Sequence, residues 1–88
     1  MADLKEKFDA AATRVQGAAD QLGGLADDKK LEIYALFKQG SIGDVNVARP
    51  GMMDFKGKAK WDAWDAKKGM SQEDGQQAYC DLVSELLD

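Results

Sequence analysis

Residues 43–57, GDVNVARPGMMDFKG, form a long connection between two segments with helical periodicity. Pro50 and Gly51 are a typical turn pair, because proline fixes its own φ and glycine accepts left-handed backbone. A connection of this length is unusual in a chain of 88 residues, and such loops are commonly functional or packed against the domain. The sequence therefore predicts a four-helix bundle with a crossover connection, rather than a strict series of short antiparallel hairpins.

Two helices are predicted before this connection. The first runs from about Ala2 to about Ala19 and is broken by the glycine pair in QLGGLADD, residues 21–28. The second opens at Asp27 and Asp28, because acidic side chains suit the unsatisfied N–H groups of a helix N-terminus. Its apolar face is so wide that we expect it to contact two neighbours; it consists of Leu31, Ile33, Tyr34, Leu36 and Phe37.

Two more helices follow the connection. The third is predicted from about Phe55 to Lys68, with Gly69 as its C-terminal stop. The fourth begins at SQED, residues 71–74, which resembles a capping box, and it carries Tyr79 on its apolar stripe. No strand pattern and no internal repeat is visible along the chain. The predicted fold class is therefore all-α.

The composition favours one cytoplasmic domain over residues 1–88. Its hydrophobic content of 44% and charged content of 32% are those of a helical domain. No apolar run approaches the roughly 18 residues of a membrane span, and the N-terminal MADLKEKF lacks a signal-peptide pattern. The single cysteine, Cys80, has no internal disulfide partner and is expected to be a small, partly buried apolar side chain.

The chain contains no histidine, so no side chain titrates near neutral pH in its ordinary state. Acid–base or nucleophilic catalysis would need a strongly perturbed carboxylate, lysine or thiol. The commonest nitrogen ligand of metals is missing too, and no zinc pattern, phosphate loop or dinucleotide fingerprint is present. We therefore predict a protein that is not an enzyme, with no catalytic residue, no metal site and no cofactor.

Positive charge is concentrated in one part of this acidic chain. Residues 38–68 contain seven basic and four acidic side chains, a net charge of +3, whereas the remainder contains five basic and twelve acidic ones, a net charge of −7. A local positive field suits a small, strongly anionic ligand, because the rest of the surface would repel a nucleic-acid duplex. No nucleic-acid partner is predicted.

Two groups of positions place two aromatic rings and three lysines on helix faces. Tyr34, Phe37 and Lys38 lie at i, i+3 and i+4 on the second helix, and Lys56 and Lys60 lie at i and i+4 on the third. Aromatic rings can stack on a base, and ammonium groups can hold phosphates by charge. The residues alone thus indicate a helical domain suited to a phosphate-bearing small molecule.

Each of these features also has an ordinary structural interpretation. Lysines four apart on a helix often form only a solvated face, and Lys67 and Lys68 suit the C-terminal end of the third helix dipole. Trp61 and Trp64 point roughly the same way, so one is expected in the core and the other at its edge. Tyr79 is a core residue with its hydroxyl either buried or exposed. The residues alone leave these alternatives open.

A longer stretch, residues 33–79, closely resembles the acyl-CoA-binding protein family, and the first helix fits the family's spacing as well. The similarity therefore covers essentially the whole chain. The matching residues are Phe8, Ala12, Val15, Tyr34, Phe37, Lys38, Gln39, Gly43, Asp44, Arg49, Pro50, Gly51, Asp54, Gly57, Lys58, Lys60, Trp61, Ala63, Trp64, Gly69 and Tyr79.

The resemblance implies an up-down-down-up four-helix bundle with the long crossover between the second and third helices. It implies a monomeric intracellular carrier and buffer that binds medium- to long-chain acyl-CoA with high affinity and does no chemistry on it. No stable membrane insertion is implied, and enzymes that use acyl-CoA would be transient partners. Two alternatives stay open: an interaction module of the same fold with weak or lost ligand binding, and an enzyme such as an acyl-CoA thioesterase.

The resemblance also implies a set of ligand-binding residues. Tyr34, Lys38 and Lys60 match positions that bind the 3′-phosphate region of coenzyme A, and Lys56 and Tyr79 match further contacts. The basic patch would hold the phosphates, and the acyl chain would lie in an apolar groove between helices. The implied site consists of Ala12, Gln16, Tyr34, Ala35, Leu36, Phe37, Lys38, Lys56, Lys60 and Tyr79.

The chain departs from the family pattern at a few positions. Gln16 stands where a basic residue is usual, and the neighbouring Arg14 is the candidate replacement. Gly40 and Gly75 replace alanines, and each is expected to cost roughly 0.5–1 kcal/mol within a helix. The loop at residues 21–28 is a few residues longer than typical, and we expect it to reshape the rim of the acyl groove.

Overall fold

Five α-helices and no β-strand are present in residues 3–88, the part of the chain that the computed structural model describes. The all-α fold class is confirmed, with four long helices forming the bundle and one short helix between the first two of them. No helix within these residues is long and apolar enough to span a bilayer. The helices are α1 (Leu4–Gly17), α2 (Ala19–Leu22), α3 (Asp27–Ser41), α4 (Phe55–Asp65) and α5 (Gln72–Leu87).

Helices α3 and α4 pack side by side in the same direction. The Lys60 ammonium lies 5.4 Å from the Tyr34 ring centre, and the Lys38 ammonium lies 5.3 Å from the Trp64 ring centre, so residue numbers rise together along the pair. Because α3 and α4 start at the same end of the bundle, the chain must run back along the whole of α3 before α4 begins. This distance is about 22 Å for the 15 residues of α3. Residues 42–54 make this return, which confirms the predicted crossover between the second and third long helices.

Helix α5 packs against α3 in the opposite direction. The side-chain amide of Gln72, at the start of α5, donates to the backbone oxygen of Ser41 at the end of α3, at 3.1 Å. One to two turns further on, the ring centres of Phe37 and Tyr79 lie 5.8 Å apart. Residue numbers fall along one helix as they rise along the other, so the two helices are antiparallel.

Helix α1 runs parallel to α5. The rings of Phe8 and Tyr79 meet edge to face with centres 5.1 Å apart, and Arg14 pairs with Asp88 at 2.8 Å beyond the end of α5. Together with the two preceding pairs, this gives the up-down-down-up order of the fold. The ion pair engages Arg14, the candidate replacement for a basic residue at Gln16, with Asp88.

The core lies where α1, α3 and α5 meet, and the two tryptophans divide as predicted. Trp64 is buried, whereas Trp61 is half-buried and donates its indole N–H to the backbone oxygen of Val47 at 2.8 Å. The Cys80 thiol is free and partly buried against the core, as predicted. The main cluster of buried side chains consists of Phe8, Ala11, Leu36, Tyr79, Leu82 and Val83.

Gly40 of α3 and Gly75 of α5 face each other at the closest approach of these helices. A methyl group at Gly75 would lie 2.8 Å from the backbone nitrogen of Gly40, and one at Gly40 would lie 3.0 Å from the ring of Phe8. Both glycines are buried within helices. The entropic cost that the sequence predicts for these glycines is therefore offset by the close packing of α3 against α5, which a larger side chain at either position would prevent.

The first predicted helix is interrupted earlier than expected. Its predicted start at Ala2 lies outside the described residues, and α1 ends at Gly17 rather than at about residue 19. Ala18 leaves the helical region with φ −106° and ψ 23°, and the short α2 then begins with an exposed Ala19. Ala19 therefore belongs to the short α2 and not to the first helix.

The third predicted helix ends earlier than expected as well. The α-helix stops at Asp65, and residues 66–69 continue as turns that end at Gly69 with φ +93°. Lys67 lies beyond α4 and forms an ion pair with Glu32 of α3. The interpretation of Lys67 as a complement to the dipole of the third helix is therefore wrong; its charge joins α3 to the segment after α4.

The predicted starts of the second, third and fourth helices are confirmed. Asp27 and Asp28 lie in the first turn of α3. The Ser71 hydroxyl accepts a hydrogen bond from the backbone N–H of Asp74 at 3.0 Å, which caps α5. Asp54 caps α4 in the same way, accepting from the N–H of Gly57 at 2.9 Å. Each cap satisfies a backbone donor that the helix itself leaves free.

Candidate ligand-binding site

Two lysine ammonium groups lie beside the ring of Tyr34. The Nζ atom of Lys38 lies 5.9 Å from the ring centre, and the Nζ atom of Lys60 lies 5.4 Å from it. Lys38 also lies over the ring of Trp64, at 5.3 Å, and is half-buried, whereas Lys60 is exposed. Aromatic faces attract cations, so the rings hold both charges close to Tyr34.

The two ammonium groups have no carboxylate partner. Ion pairs within 4.0 Å among residues 3–88 join Arg14 to Asp88, Arg49 to Asp62, and Lys67 to Glu32, and neither Lys38 nor Lys60 takes part in one. Two like charges held together without a counter-charge repel one another and attract an anion. The cluster is therefore suited to a ligand with more than one negative charge, such as a phosphate.

An open, mostly apolar groove begins at the same tyrosine and runs between α1 and α3. Its first stretch has a volume of about 270 Å³, and a second stretch of about 280 Å³ continues past α2. Val15, Lys30 and Ile33 line both stretches, so the groove is continuous. The first stretch is lined by Ala12, Val15, Gln16, Lys30, Ile33, Tyr34, Phe37 and Tyr79, and the second adds Ala19, Leu22 and Gly23.

Aromatic rings form the floor of the first stretch: Phe37 and Tyr79 line it, and the buried Phe8 packs against both of them. The rings of Phe8 and Phe37 are stacked with centres 5.6 Å apart, and Phe37 lies 5.8 Å from Tyr79. Burial raises the pKa of the Tyr79 hydroxyl to about 12, so this side chain stays uncharged at physiological pH. The floor is therefore rigid and apolar, which suits a hydrocarbon chain.

Asp44 ties the start of the crossover to the segment after α4. Its carboxylate accepts hydrogen bonds from the side chain of Gln39, at 3.0 Å, and from the backbone N–H of Gly69, at 2.9 Å. Gln39 is fully buried and donates as well to the backbone oxygen of Met70 at 2.6 Å. The Gly69 bond and then the Gln39 bond hold the pKa of Asp44 below its ordinary 3.8.

Further bonds fix the crossover along α4. Arg49 makes two parallel hydrogen bonds to the carboxylate of Asp62, each 2.9 Å long. The indole N–H of Trp64 donates to the backbone oxygen of Gly43 at 2.8 Å. Because Trp64 also lies under the Lys38 ammonium, the crossover positions one wall of the lysine cluster. These motif residues act through structure rather than by facing the groove.

The structure brings together most of the residues that the sequence predicted for the site. Ala12, Gln16, Tyr34, Phe37 and Tyr79 line the groove, and Lys38 and Lys60 lie at its Tyr34 end. Lys56 is exposed on α4, one turn before Lys60. Ala35 and Leu36 are buried in the helix packing, so the structure does not bring their side chains to the groove.

Sequence reasoning did not identify Lys30 as part of the groove, although the spacing contained a signal. Lys30, Tyr34 and Lys38 follow at intervals of four, which places them on one stripe of α3. Leu22 and Gly23, which line the second stretch, belong to the loop expected to reshape the groove rim. Among residues 3–88, no group of three His, Cys, Asp or Glu side chains is placed to hold a metal ion.

Comparison with known proteins identifies the family of this arrangement. The family model for acyl CoA binding protein matches residues 5–83. An acyl-CoA-binding protein homolog of Drosophila melanogaster is 46% identical over 84 residues, which is 96% of this chain and 94% of the relative. Acyl-CoA-binding protein homolog 1 of Caenorhabditis elegans is 56% identical over 62 residues, 70% of this chain and 72% of the relative. The crystal structure of Oryza sativa Acyl-CoA-Binding Protein 2 matches with a TM-score of 0.88 and 35% sequence identity. The match covers 97% of this chain and 91% of the rice chain.

Proposed function

The chain belongs to the acyl-CoA-binding protein family, and from that premise we propose that residues 1–88 are one domain that binds acyl-CoA esters and releases them unchanged. The ligands are medium- to long-chain esters bound with high affinity. The protein acts as a monomeric carrier and buffer in the cytoplasm, and enzymes that use acyl-CoA are its transient partners.

The meeting of two surfaces at Tyr34 carries this proposal. The unpaired ammonium groups of Lys38 and Lys60 lie 5.9 and 5.4 Å from the centre of the Tyr34 ring, and the same side chain lines the first stretch of the apolar groove. Acyl-CoA has the matching division, since a phosphorylated nucleotide lies at one end and a hydrocarbon chain at the other. Neither coenzyme A nor a fatty acid alone would use both surfaces.

The parts of the ligand are assigned to these side chains on the family resemblance. Lys38 and Lys60 hold the 3′-phosphate with Tyr34, and the exposed Lys56 contacts the remaining phosphates. The acyl chain lies along Ala12, Gln16, Phe37 and Tyr79 and continues toward α2. Ala35 and Leu36 contribute by packing, because their side chains are buried.

Binding without catalysis is the mode of action that these side chains support. Burial raises the pKa of the Cys80 thiol, which leaves less of the nucleophilic thiolate. The Tyr79 hydroxyl also has a raised pKa and is a poor general base near neutral pH. Proteins of this family are binding proteins, and a thioesterase would need a nucleophile that neither residue provides.

Calorimetric titration with acyl-CoA esters of graded chain length tests the proposal. Affinity should rise with each added methylene, by up to about 0.8 kcal/mol, until the groove is full. Free coenzyme A and free palmitate should bind far more weakly than palmitoyl-CoA. Absence of binding by any ester would favour the interaction module, and release of free thiol from palmitoyl-CoA would favour the enzyme. Equal affinity for palmitate and palmitoyl-CoA would contradict any role of the lysine cluster.

A further inference from the structure

The tip of the crossover exposes three large apolar side chains that neither the core nor the groove uses. Met52 is 82% exposed, Met53 is 87% exposed and Phe55 is 71% exposed. The two methionines are the central residues of a turn that the N–H of Asp54 closes on the oxygen of Gly51 at 3.1 Å. Apolar side chains clustered in this way on a surface mark a site of interaction.

The backbone of this tip is held in place. The Lys58 ammonium donates to the backbone oxygen of Met52 at 3.0 Å, and it lies 4.9 Å from the ring centre of Phe55. Asp54 caps α4 by accepting from Gly57. These bonds fix the backbone of the turn and the start of α4, and they satisfy part of the polar backbone at the tip.

Basic residues surround the exposed side chains. Residues 49–62 contain four basic and two acidic side chains, and both carboxylates are occupied, Asp54 as a helix cap and Asp62 by Arg49. Lys56 follows Phe55 directly, is exposed, and has no carboxylate within 4.0 Å in the described part of the chain. Apolar side chains next to free positive charge are complementary to the interface of an anionic bilayer.

We propose that the crossover tip docks reversibly on anionic phospholipid surfaces, with Met52, Met53 and Phe55 entering the interface and Lys56 facing the headgroups. A bilayer fits better than a protein partner, because the patch is three side chains on a protruding turn. A stable protein interface needs about 800 Å² from each side. A bilayer needs only apolar groups that insert and charges that attract.

Docking would place the ligand site near the membrane. Helix α4 starts at Phe55, and Lys60 lies five residues along it, about 8 Å by helix rise. This consequence rests on the proposed function: acyl-CoA is itself amphipathic and partitions into bilayers, so a docked carrier would take up its ligand where the ligand is concentrated. The docking itself does not depend on whether acyl-CoA is bound.

Cosedimentation with vesicles tests the docking directly. Phosphatidylcholine vesicles with and without phosphatidylserine are compared for the parent chain and for a double variant, Met52→Ser with Met53→Ser. Both side chains are exposed, so the fold should be retained, which circular dichroism checks. Binding by the parent should need phosphatidylserine and weaken with salt. The double variant should bind at least about tenfold more weakly than the parent, because two apolar side chains no longer insert.

Ile42→Ser is the matched control, since Ile42 is also an exposed apolar residue, at 43%, but ends α3 rather than lying at the tip. It should bind vesicles like the parent. Acyl-CoA affinity in solution should be the same in the double variant and the parent, which separates docking from ligand binding. The proposal is overturned if phosphatidylserine does not increase binding of the parent to vesicles, or if the double variant and Ile42→Ser bind vesicles equally. It is also overturned if the parent binds no vesicle and the tip binds only a protein.

Discussion

Replacing Lys60 by alanine tests whether its ammonium meets the 3′-phosphate of the ligand. Lys60 is exposed and unpaired within residues 3–88, so its removal should leave α4 folded. A hydrogen bond to a charged group contributes about 1.5–3 kcal/mol, and screening by solvent places an exposed lysine in the lower half of that range. The dissociation constant for acyl-CoA should therefore rise about 10- to 30-fold.

Lys38 provides an internal comparison for this magnitude. It is half-buried between the rings of Tyr34 and Trp64, so its charge is less screened than that of Lys60. Lys38→Ala should raise the dissociation constant about 30- to 150-fold, corresponding to the upper half of the same range. A larger loss for Lys60→Ala than for Lys38→Ala would contradict the burial argument.

Four calorimetric titrations decide whether the phosphate is the partner. The parent and Lys60→Ala are each titrated with an acyl-CoA and with the dephospho-coenzyme A ester of the same chain, which lacks only the 3′-phosphate. Removing the phosphate should weaken the parent much more than the variant, because in the variant one partner is already absent. Additive losses would mean that Lys60 does not contact that phosphate, even if acyl-CoA binding itself persists.

Lys29→Ala is the control for a diffuse field. Lys29 is exposed on α3, and it neither lines the groove nor lies over Tyr34. Its loss should change affinity by little, and losses as large as those of Lys60→Ala would show that the positive charge acts without a defined site. Lys67 cannot serve here, because its ion pair with Glu32 means that its removal also perturbs α3.

Three further predictions concern the packing, the groove and the acid stability. Gly75→Ala should lower the free energy of unfolding in urea by about 1–2 kcal/mol, because the new methyl group 2.8 Å from the Gly40 nitrogen outweighs the gain in helix propensity; an unchanged stability would show that α3 and α5 separate without cost. Lys30→Met should tighten binding of long-chain esters about two- to fivefold by adding apolar area to the groove, with no effect on free coenzyme A; weaker binding of free coenzyme A would instead place Lys30 at the headgroup. Asp44 has a folded pKa below 3.8, so its stabilising contribution is present above that value and is lost as the pH falls through the folded pKa. Asp44→Ala should therefore flatten the acid side of the curve of unfolding free energy against pH, measured by urea unfolding. An unchanged acid side would contradict this assignment.

Local sequence features predicted the parts of the fold that depend on local chemistry. The Ser71 cap was recognisable because its hydroxyl satisfies a backbone donor within one helical turn, and the acidic start of α3 because carboxylates suit the positive end of the helix dipole. The crossover was recognisable from the length of residues 43–57 alone. The order of the helices needed the family resemblance, since periodicity shows that a helix has a buried face but does not show which neighbour covers it.

Features that depend on how helices cross were not predictable from the sequence. Gly17 at the end of α1 is the local signal for the break at Ala18, although the glycine pair in residues 21–28 is the more obvious one. The end of α4 at Asp65 has no proline or glycine beside it, so no local signal marks it. Lys67 could be assigned to a helix end from its position, but its pairing with Glu32 requires that α3 and α4 run parallel. Lys30 likewise became a groove residue only because α1 packs opposite that face of α3.

Trp64 shows why so much of the recognisable motif lies away from the groove. Its indole N–H is bonded to Gly43 at the start of the crossover, while its ring supports the Lys38 ammonium. Displacing the crossover would move this ring and release Lys38 to solvent, where a flexible lysine loses more rotamer freedom on binding a phosphate. On the proposed function, the bonds made by Asp44 and Arg49 serve affinity without touching a ligand, because they fix in advance the charge that a phosphate would otherwise have to order.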